Sequence, residues 1–218
     1  MAILKADRIA NLLEQGLRFE PEDAAQQDPL VIAPRPNLRE LRESGSASVD
    51  LRLGTWFVTL RQGQTTHLGL KDGRYYEKYS KTLYVPFNED YYVHPGHFTL
   101  GITLEWLRFP SNLAGYLIGR SSWGRRGLII ATAAGVHPGF KGCLTLEISN
   151  VGEVPIAIRP GMPICQLCLH TVESDEPSNI ERIDKSRFVG QRKPVVGDIE
   201  PDEFTLRLGT SGQRSPLP

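Results

Sequence analysis

The chain has 218 residues, and its 25 lysines and arginines balance 25 aspartates and glutamates to a formal net charge of zero. That length supports one substantial core, and the balance excludes a global field aimed at nucleic acid or an anionic membrane, so local arginine clusters point to a small anionic ligand. No apolar run is long enough to span a bilayer, the N-terminus lacks a signal-peptide profile, and three cysteines fit a reducing cytoplasm better than a disulfide framework.

Asp7 to Gly16 reads as a short helix, with Asp7 as its cap, Ile9, Leu12 and Leu13 as an apolar stripe and Gly16 past its end. Residues 20–45 are rich in Pro, Asp, Gln and Arg and read as a loop. Val49, Leu51 and Leu53 alternate inward along a strand, with Asp50 and Arg52 together on its other face and suited to an ion pair. Residues 61–82 read as a polar excursion. Tyr91-Tyr92-Val93 runs into the turn His94-Pro95-Gly96, after which Phe98, Leu100, Ile102 and Leu104 alternate with Thr99, Gly101, Thr103 and Glu105.

Gly119 to Glu147 carries the chemistry. Gly119-Arg120-Ser121-Ser122, with Arg125 and Arg126 beyond, sets a turn, two hydroxyls and guanidinium forks where a polyphosphate could pair with them. Further on, Leu144, Leu146 and Ile148 share one face of a strand while Thr145, Glu147 and Ser149 share the other. A mid-strand carboxylate is costly to bury. Glu147 is either a structural group paired with an arginine or a proton shuttle.

Strands then follow at Pro155 to Arg159 and Ile164 to Leu169, separated by Pro160-Gly161, and the chain turns polar from Glu173. With 21 glycines and 16 prolines punctuating short alternating segments, the expectation is an all-β fold, a distorted barrel or jelly-roll-like sandwich. It is expected to form one domain over 1–218, with an N-terminal helix and loop over 1–45 and a C-terminal arm over 173–218. Cys165-Gln166-Leu167-Cys168 invites zinc, as in nucleobase deaminases with H-x-E and P-C-x-x-C. None of His67, His94, His97, His137 and His170 begins a His-x-Glu, however, and strand residues three apart face opposite ways. Both cysteines are expected to be small buried hydrophobes, and His94 a structural histidine. His137 reads equally as lining a site or as turn surface.

Taken in order, these motifs resemble the dCTP deaminase family, among the dUTPase-like trimeric β folds, from about Asp7 to Gln191. The resemblance rests on Ser48–Gly54, Tyr92–Gly96, Gly119–Ser122 with Arg125 and Gly127-Leu128, Pro138-Gly139-Phe140 with Gly142 and Leu146-Glu147, and Arg159–Met162. It implies hydrolytic deamination of dCTP to dUTP and ammonia, with Glu147 as the shuttle that activates water. Ser121 and Arg125 would hold that water and support the intermediate. Arg120, Ser122 and the backbone at Trp123 and Gly124 would cradle the triphosphate, Thr145 and Leu146 would help read the base, and Arg187 and Gln191 of the arm would close over the phosphates. It also implies a homotrimer with sites between subunits and a substrate bound as its magnesium (Mg2+) complex, without zinc.

The sequence departs from the family at Val136-His137-Pro138-Gly139, where His137 replaces the aspartate that reads the sugar's 3′-hydroxyl. The loop after Ile130 is one residue shorter, bearing on feedback by dTTP. Because an imidazole lacks a carboxylate's charge, and the tail has only Gly209 and Gly212 near Leu208-Gly209-Thr210-Ser211-Gly212, the expected product is dUTP rather than dUMP. Two rival readings are a dUTP diphosphatase or bifunctional enzyme, and a non-catalytic nucleotide-binding regulator on the same fold.

Overall fold

The computed structural model describes residues 2–16, 28–60, 79–130, 135–173 and 190–196. The N-terminal periodicity forms helix α1 (Ala6–Gln15), which buries Ala6, Ile9, Ala10 and Leu13. Its N-cap is Lys5, with no side-chain cap bond. Asp7 stands inside the first turn, where its charge meets the positive end of the helix dipole rather than a free N–H.

The predicted loop over 20–45 holds two elements, strand β1 (Val31–Ala33) and helix α2 (Leu38–Glu43). Asn37 starts α2. Its Oδ1 accepts the N–H groups of Arg39 at 3.1 Å and Glu40 at 3.4 Å, and its Nδ2 donates to Glu40 Oε1 at 2.7 Å. This reciprocal cap was present in the sequence as Asn-Leu-Arg-Glu, hidden among prolines and arginines.

The remaining strands are β2 (Val49–Arg52), β3 (Trp56–Leu60), β4 (Ser80–Tyr84), β5 (Tyr91–Val93), β6 (Phe98–Arg108) and β7 (Leu113–Gly119). After the single helical turn α3 (Ser121–Gly124) come β8 (Leu128–Ile130), β9 (Gly135–Val136), β10 (Lys141–Asn150), β11 (Ile156–Ile158) and β12 (Pro163–Thr171). They form an all-β architecture of three sheets, in the orders β4-β3-β6-β10-β8 (with β1 also on β6), β2-β12-β7-β9 and β11-β5. Leu51, Phe57, Leu107, Leu146, Ile164 and Leu167 meet in one core, all completely buried. Among the described residues no helix is long and apolar enough to cross a membrane.

Strand β6 departs from the expected alternation. Phe98 is exposed and Leu104 half-buried, whereas Thr99, Thr103 and Glu105 are buried. β6 is a central strand with neighbours along both edges. A bulge also breaks its ladder with β10: Cys143 faces Trp106 and Thr145 faces Ile102, leaving Leu144 opposite three residues. The Leu144 N–H donates instead to Thr103 Oγ1 at 2.9 Å.

The bulge turns Glu105 inward to 2% exposure. Its Oε1 accepts Arg52 Nε at 2.7 Å and its Oε2 accepts the Arg52 backbone N–H at 2.8 Å. The expected Asp50–Arg52 pair therefore does not form. Those residues share a face, but Arg52 turns to β6 while Asp50 binds Arg120 and Gln166. Beside them the first two sheets join at a Leu53–Thr103 bridge and a Gly54 N–H to Ile102 oxygen bond of 2.7 Å. A Cβ on Gly54 would lie 2.9 Å from the Ile102 side chain, so the corner closes only around glycine.

The chain divides into two compact units, Met1–Thr59 with Thr82–Val195, and Leu60–Lys81 with Val196–Pro218. Most of the second unit lies outside the described residues.

Candidate active site

Strand β10 keeps the period of two seen in its sequence. Leu144, Leu146 and Ile148 are buried, and Cys143, Thr145, Glu147 and Ser149 lie half-buried on the opposite face. Glu147 is paired in register with Leu100 of β6, yet its carboxylate has no hydrogen bond or ion pair among the described residues. An arginine partner, the structural alternative for this residue, is not found there. A half-dehydrated carboxylate without compensation is a cost to the fold. Leu146 is fully buried, so only its peptide groups remain for any ligand contact, whereas Thr145 shares the face of Glu147.

Residues 190–196 run beside the start of this strand. The Gly190 N–H donates to Lys141 oxygen at 2.6 Å, and the Cys143 N–H donates to Gln191 oxygen at 2.9 Å. Gln191 therefore sits four residues upstream of Glu147, about 13 Å along the strand at ~3.3 Å per residue. Arg192 lies near enough to Cys143 to lower its thiol's pKa, but burial outweighs it and pushes that thiol up. Lys193 Nζ rests 3.9 Å from the centre of the Trp56 ring. Arg187, expected beside Gln191 in function, lies outside the described residues.

The docking depends on Gly142, at φ +136°, where a Cβ would stand 3.1 Å from Gly190 N and 3.2 Å from Gln191 N. Gly142→Ala is expected to lift residues 190–193 off β10 while leaving the sheet intact, because strain and contact fall at the same point. Amide hydrogen exchange at Cys143 checks this: at least ~10-fold faster exchange is expected from loss of that bond. An unchanged rate would show that the segment is held elsewhere.

Helix α3 carries the Gly-Arg-Ser-Ser motif and is tethered to the start of β12. The Arg120 N–H reaches Ile164 oxygen at 3.5 Å, and Trp123 Nε1 donates to Pro163 oxygen at 2.9 Å. The turn sorts the motif onto two sides. Arg120, Ser122, Trp123 and Arg126 line an open groove of about 740 Å³ that Ile156, Met162 and Val154 complete. Ser121 and Arg125, four residues apart and hence on one helical face, are exposed and off that groove. Neither side chain has a hydrogen bond among the described residues. The N–H groups of Trp123 and Gly124 both donate to Arg120 oxygen, at 3.0 and 3.1 Å, so the turn itself already uses the two backbone donors expected to face phosphates.

Only one strand separates α3 from Glu147. Ile148 pairs with Ile130 of β8, and a Cβ on Gly119, just before Arg120, would lie 3.7 Å from Ile130 Cβ. No hydrogen bond or ion pair joins Glu147 to Ser121 or Arg125 among the described residues. His137 is exposed, in the turn closed by the Phe140 N–H to His137 oxygen at 3.2 Å. His94 is also exposed, with its ring 5.6 Å from that of His97.

Cys165 is fully buried, its thiol pushed up to about 12 mainly by burial, while Cys168 is only half-buried. Among the described residues no three His, Cys, Asp or Glu side chains gather as a metal site. Arg126, read from the sequence as part of the arginine cluster, lines the groove, whereas Gln166 as a partner of Asp50 was not foreseen. Arg126 Nη1 donates to Ser122 oxygen at 3.0 Å, and its guanidinium lies 6.0 Å from the Trp123 ring centre. Gln166 had no local signal, because its pairing with Asp50 is set by strand register.

The family model described as dCTP deaminase-like matches residues 3–172, and the chain belongs to that family. A relative from Methanosphaera stadtmanae, named dCTP deaminase, dUMP-forming, is 35% identical over 93% of this chain and 96% of its own length. One from Rhodospirillum rubrum, named dCTP deaminase, is 37% identical over 73% of this chain and 85% of its own. The solved 2'-deoxycytidine 5'-triphosphate deaminase from Agrobacterium tumefaciens shares the fold at a TM-score of 0.51 and 20% identity. That match covers 77% of this chain but only 48% of the longer structure.

Proposed function

We propose that the protein is a dCTP deaminase, converting dCTP and water to dUTP and ammonia. The observation that carries this reading is the half-buried Glu147 carboxylate on β10, without a partner among the described residues and one strand from the Gly-Arg-Ser-Ser turn. Glu147 takes a proton from water as the oxygen attacks C4 of cytosine. It passes that proton to N3, then takes the remaining proton from the hydroxyl now on C4 and gives it to the amino group, which leaves as ammonia while the C4 carbonyl forms. Ser121 and Arg125 steady the water and the developing charge. Both are exposed and without partners among the described residues, which suits a homotrimer in which a neighbouring subunit completes the site.

Arg120 and Ser122 grip the phosphates from the groove side, and Arg187 and Gln191 close over them. Magnesium arrives as the partner of the triphosphate, and zinc has no part in the reaction. The three free cysteines suit a cytoplasmic setting.

The product is dUTP. His137 stands in the turn before β10 where the resemblance calls for an aspartate, and a neutral imidazole offers a single acceptor for a sugar hydroxyl rather than a carboxylate that could orient water toward phosphorus. The named relatives include both product types. Phosphorus NMR of dCTP turnover, with ammonia assayed in parallel and protein-bound zinc measured, tests the reading. Ammonia without pyrophosphate is expected; pyrophosphate rising in step with ammonia would indicate a bifunctional enzyme, and binding without ammonia a regulator.

A further inference from the structure

Asp50 stands on β2 with both carboxylate oxygens engaged. Oδ2 accepts Arg120 Nη1 at 3.0 Å, and Oδ1 accepts Gln166 Nε2 at 3.0 Å. Strand register builds this arrangement: Asp50 and Gln166 are direct partners across β2 and β12, and Gln166 also faces Ile118 of β7, two residues before Arg120. Three strands thus converge on one guanidinium.

We propose that Asp50, braced by Gln166, is a positioning residue that orients the Arg120 fork toward an anion in the groove; this rests on the reading of Arg120 as a phosphate ligand. An arginine pairs with phosphate oxygens through a planar fork, so the direction of that plane decides how many bonds it makes. Asp50 fixes Nη1 and leaves Nε and Nη2 without partners among the described residues. With side chains 33% and 42% exposed, the Arg120–Asp50 pair contributes little to folding. Its effect lies in geometry. Gln166 completes the device, because an aspartate held at one oxygen only could swing with the arginine.

The sign of one substitution separates positioning from charge. Asp50→Asn is nearly isosteric and removes a negative charge beside the groove. Coulomb attraction alone would then make anions bind more tightly, whereas positioning requires weaker binding. Isothermal titration of the full chain with inorganic tripolyphosphate, and separately with deoxycytidine, reads the difference.

Asp50→Asn is expected to weaken tripolyphosphate about tenfold, the effect of misdirecting one charge-assisted contact, and to leave deoxycytidine unchanged. Gln166→Met, which keeps the Asp50 charge, should weaken tripolyphosphate by roughly threefold on the same grounds, and it carries the test if the first variant fails to fold. Unchanged or tighter tripolyphosphate binding overturns the inference, as does an equal loss for both ligands, which would mark a general structural effect. A wild-type chain that does not bind tripolyphosphate at all removes Arg120 from phosphate recognition, and the proposed function fails with it.

Discussion

Glu147→Gln is expected to abolish ammonia release from dCTP while the protein folds and binds dCTP as before. The two side chains have nearly the same shape, but an amide cannot accept a proton from water and return it to N3. Loss of that transfer should lower kcat by on the order of a hundredfold or more. Because the Glu147 carboxylate has no described partner, the substitution removes no ion pair or hydrogen bond among the described residues, and its thermal midpoint should stay near that of the wild type. Steady-state ammonia assays beside a melting curve decide it: turnover near the wild-type rate removes Glu147 from the mechanism.

The largest effect on stability is expected at Arg52. Glu105 is buried to 2% exposure, and its carboxylate takes both of its described hydrogen bonds from Arg52, one from the side chain and one from the backbone. Arg52→Leu leaves that carboxylate inside the protein with only the backbone donor, a change that costs roughly 3–5 kcal/mol for a broken buried pair. The double substitution Arg52→Leu with Glu105→Leu should recover much of the loss, since replacing both partners removes the stranded charge. Urea unfolding of the three proteins measures this. A single variant within about 1 kcal/mol of wild type, the range of an exposed pair, would show that solvent reaches Glu105 and that the pair is not structural.

Where burial was one-sided, the fold could be read from the sequence. β2 and β10 alternate because one face meets the core, and Val49, Leu51, Leu146 and Ile148 lie inside as their spacing indicated. The same logic misread β6, whose period is shifted by the bulge opposite Leu144. Glu105 consequently looked like an outward residue. At the candidate site, the residue types and order of Arg120–Arg126 and Thr145–Glu147 were legible, because short motifs keep their chemistry in one place. Which side of α3 each residue takes was not, since the Trp123–Pro163 tether that sets it joins residues forty positions apart. The partners of Asp50 were hidden for a related reason: strand register is a property of the assembled sheet.

The small size of α3 has a mechanical consequence. A single turn, fastened to β12 through Arg120 and Trp123, has no length over which to bend, so any displacement of it would be a tilt of the whole turn. A pull on Arg120 or Ser122 from the groove side would then tilt Ser121 and Arg125 on the other. If the phosphates grip the groove, they become a handle distant from the base, and part of their attraction goes into seating the side chains that face the chemistry. A nucleotide shortened from the phosphate end would then lose speed as well as grip. The triphosphate, remote from the base that the proposed deamination changes, would help set its rate.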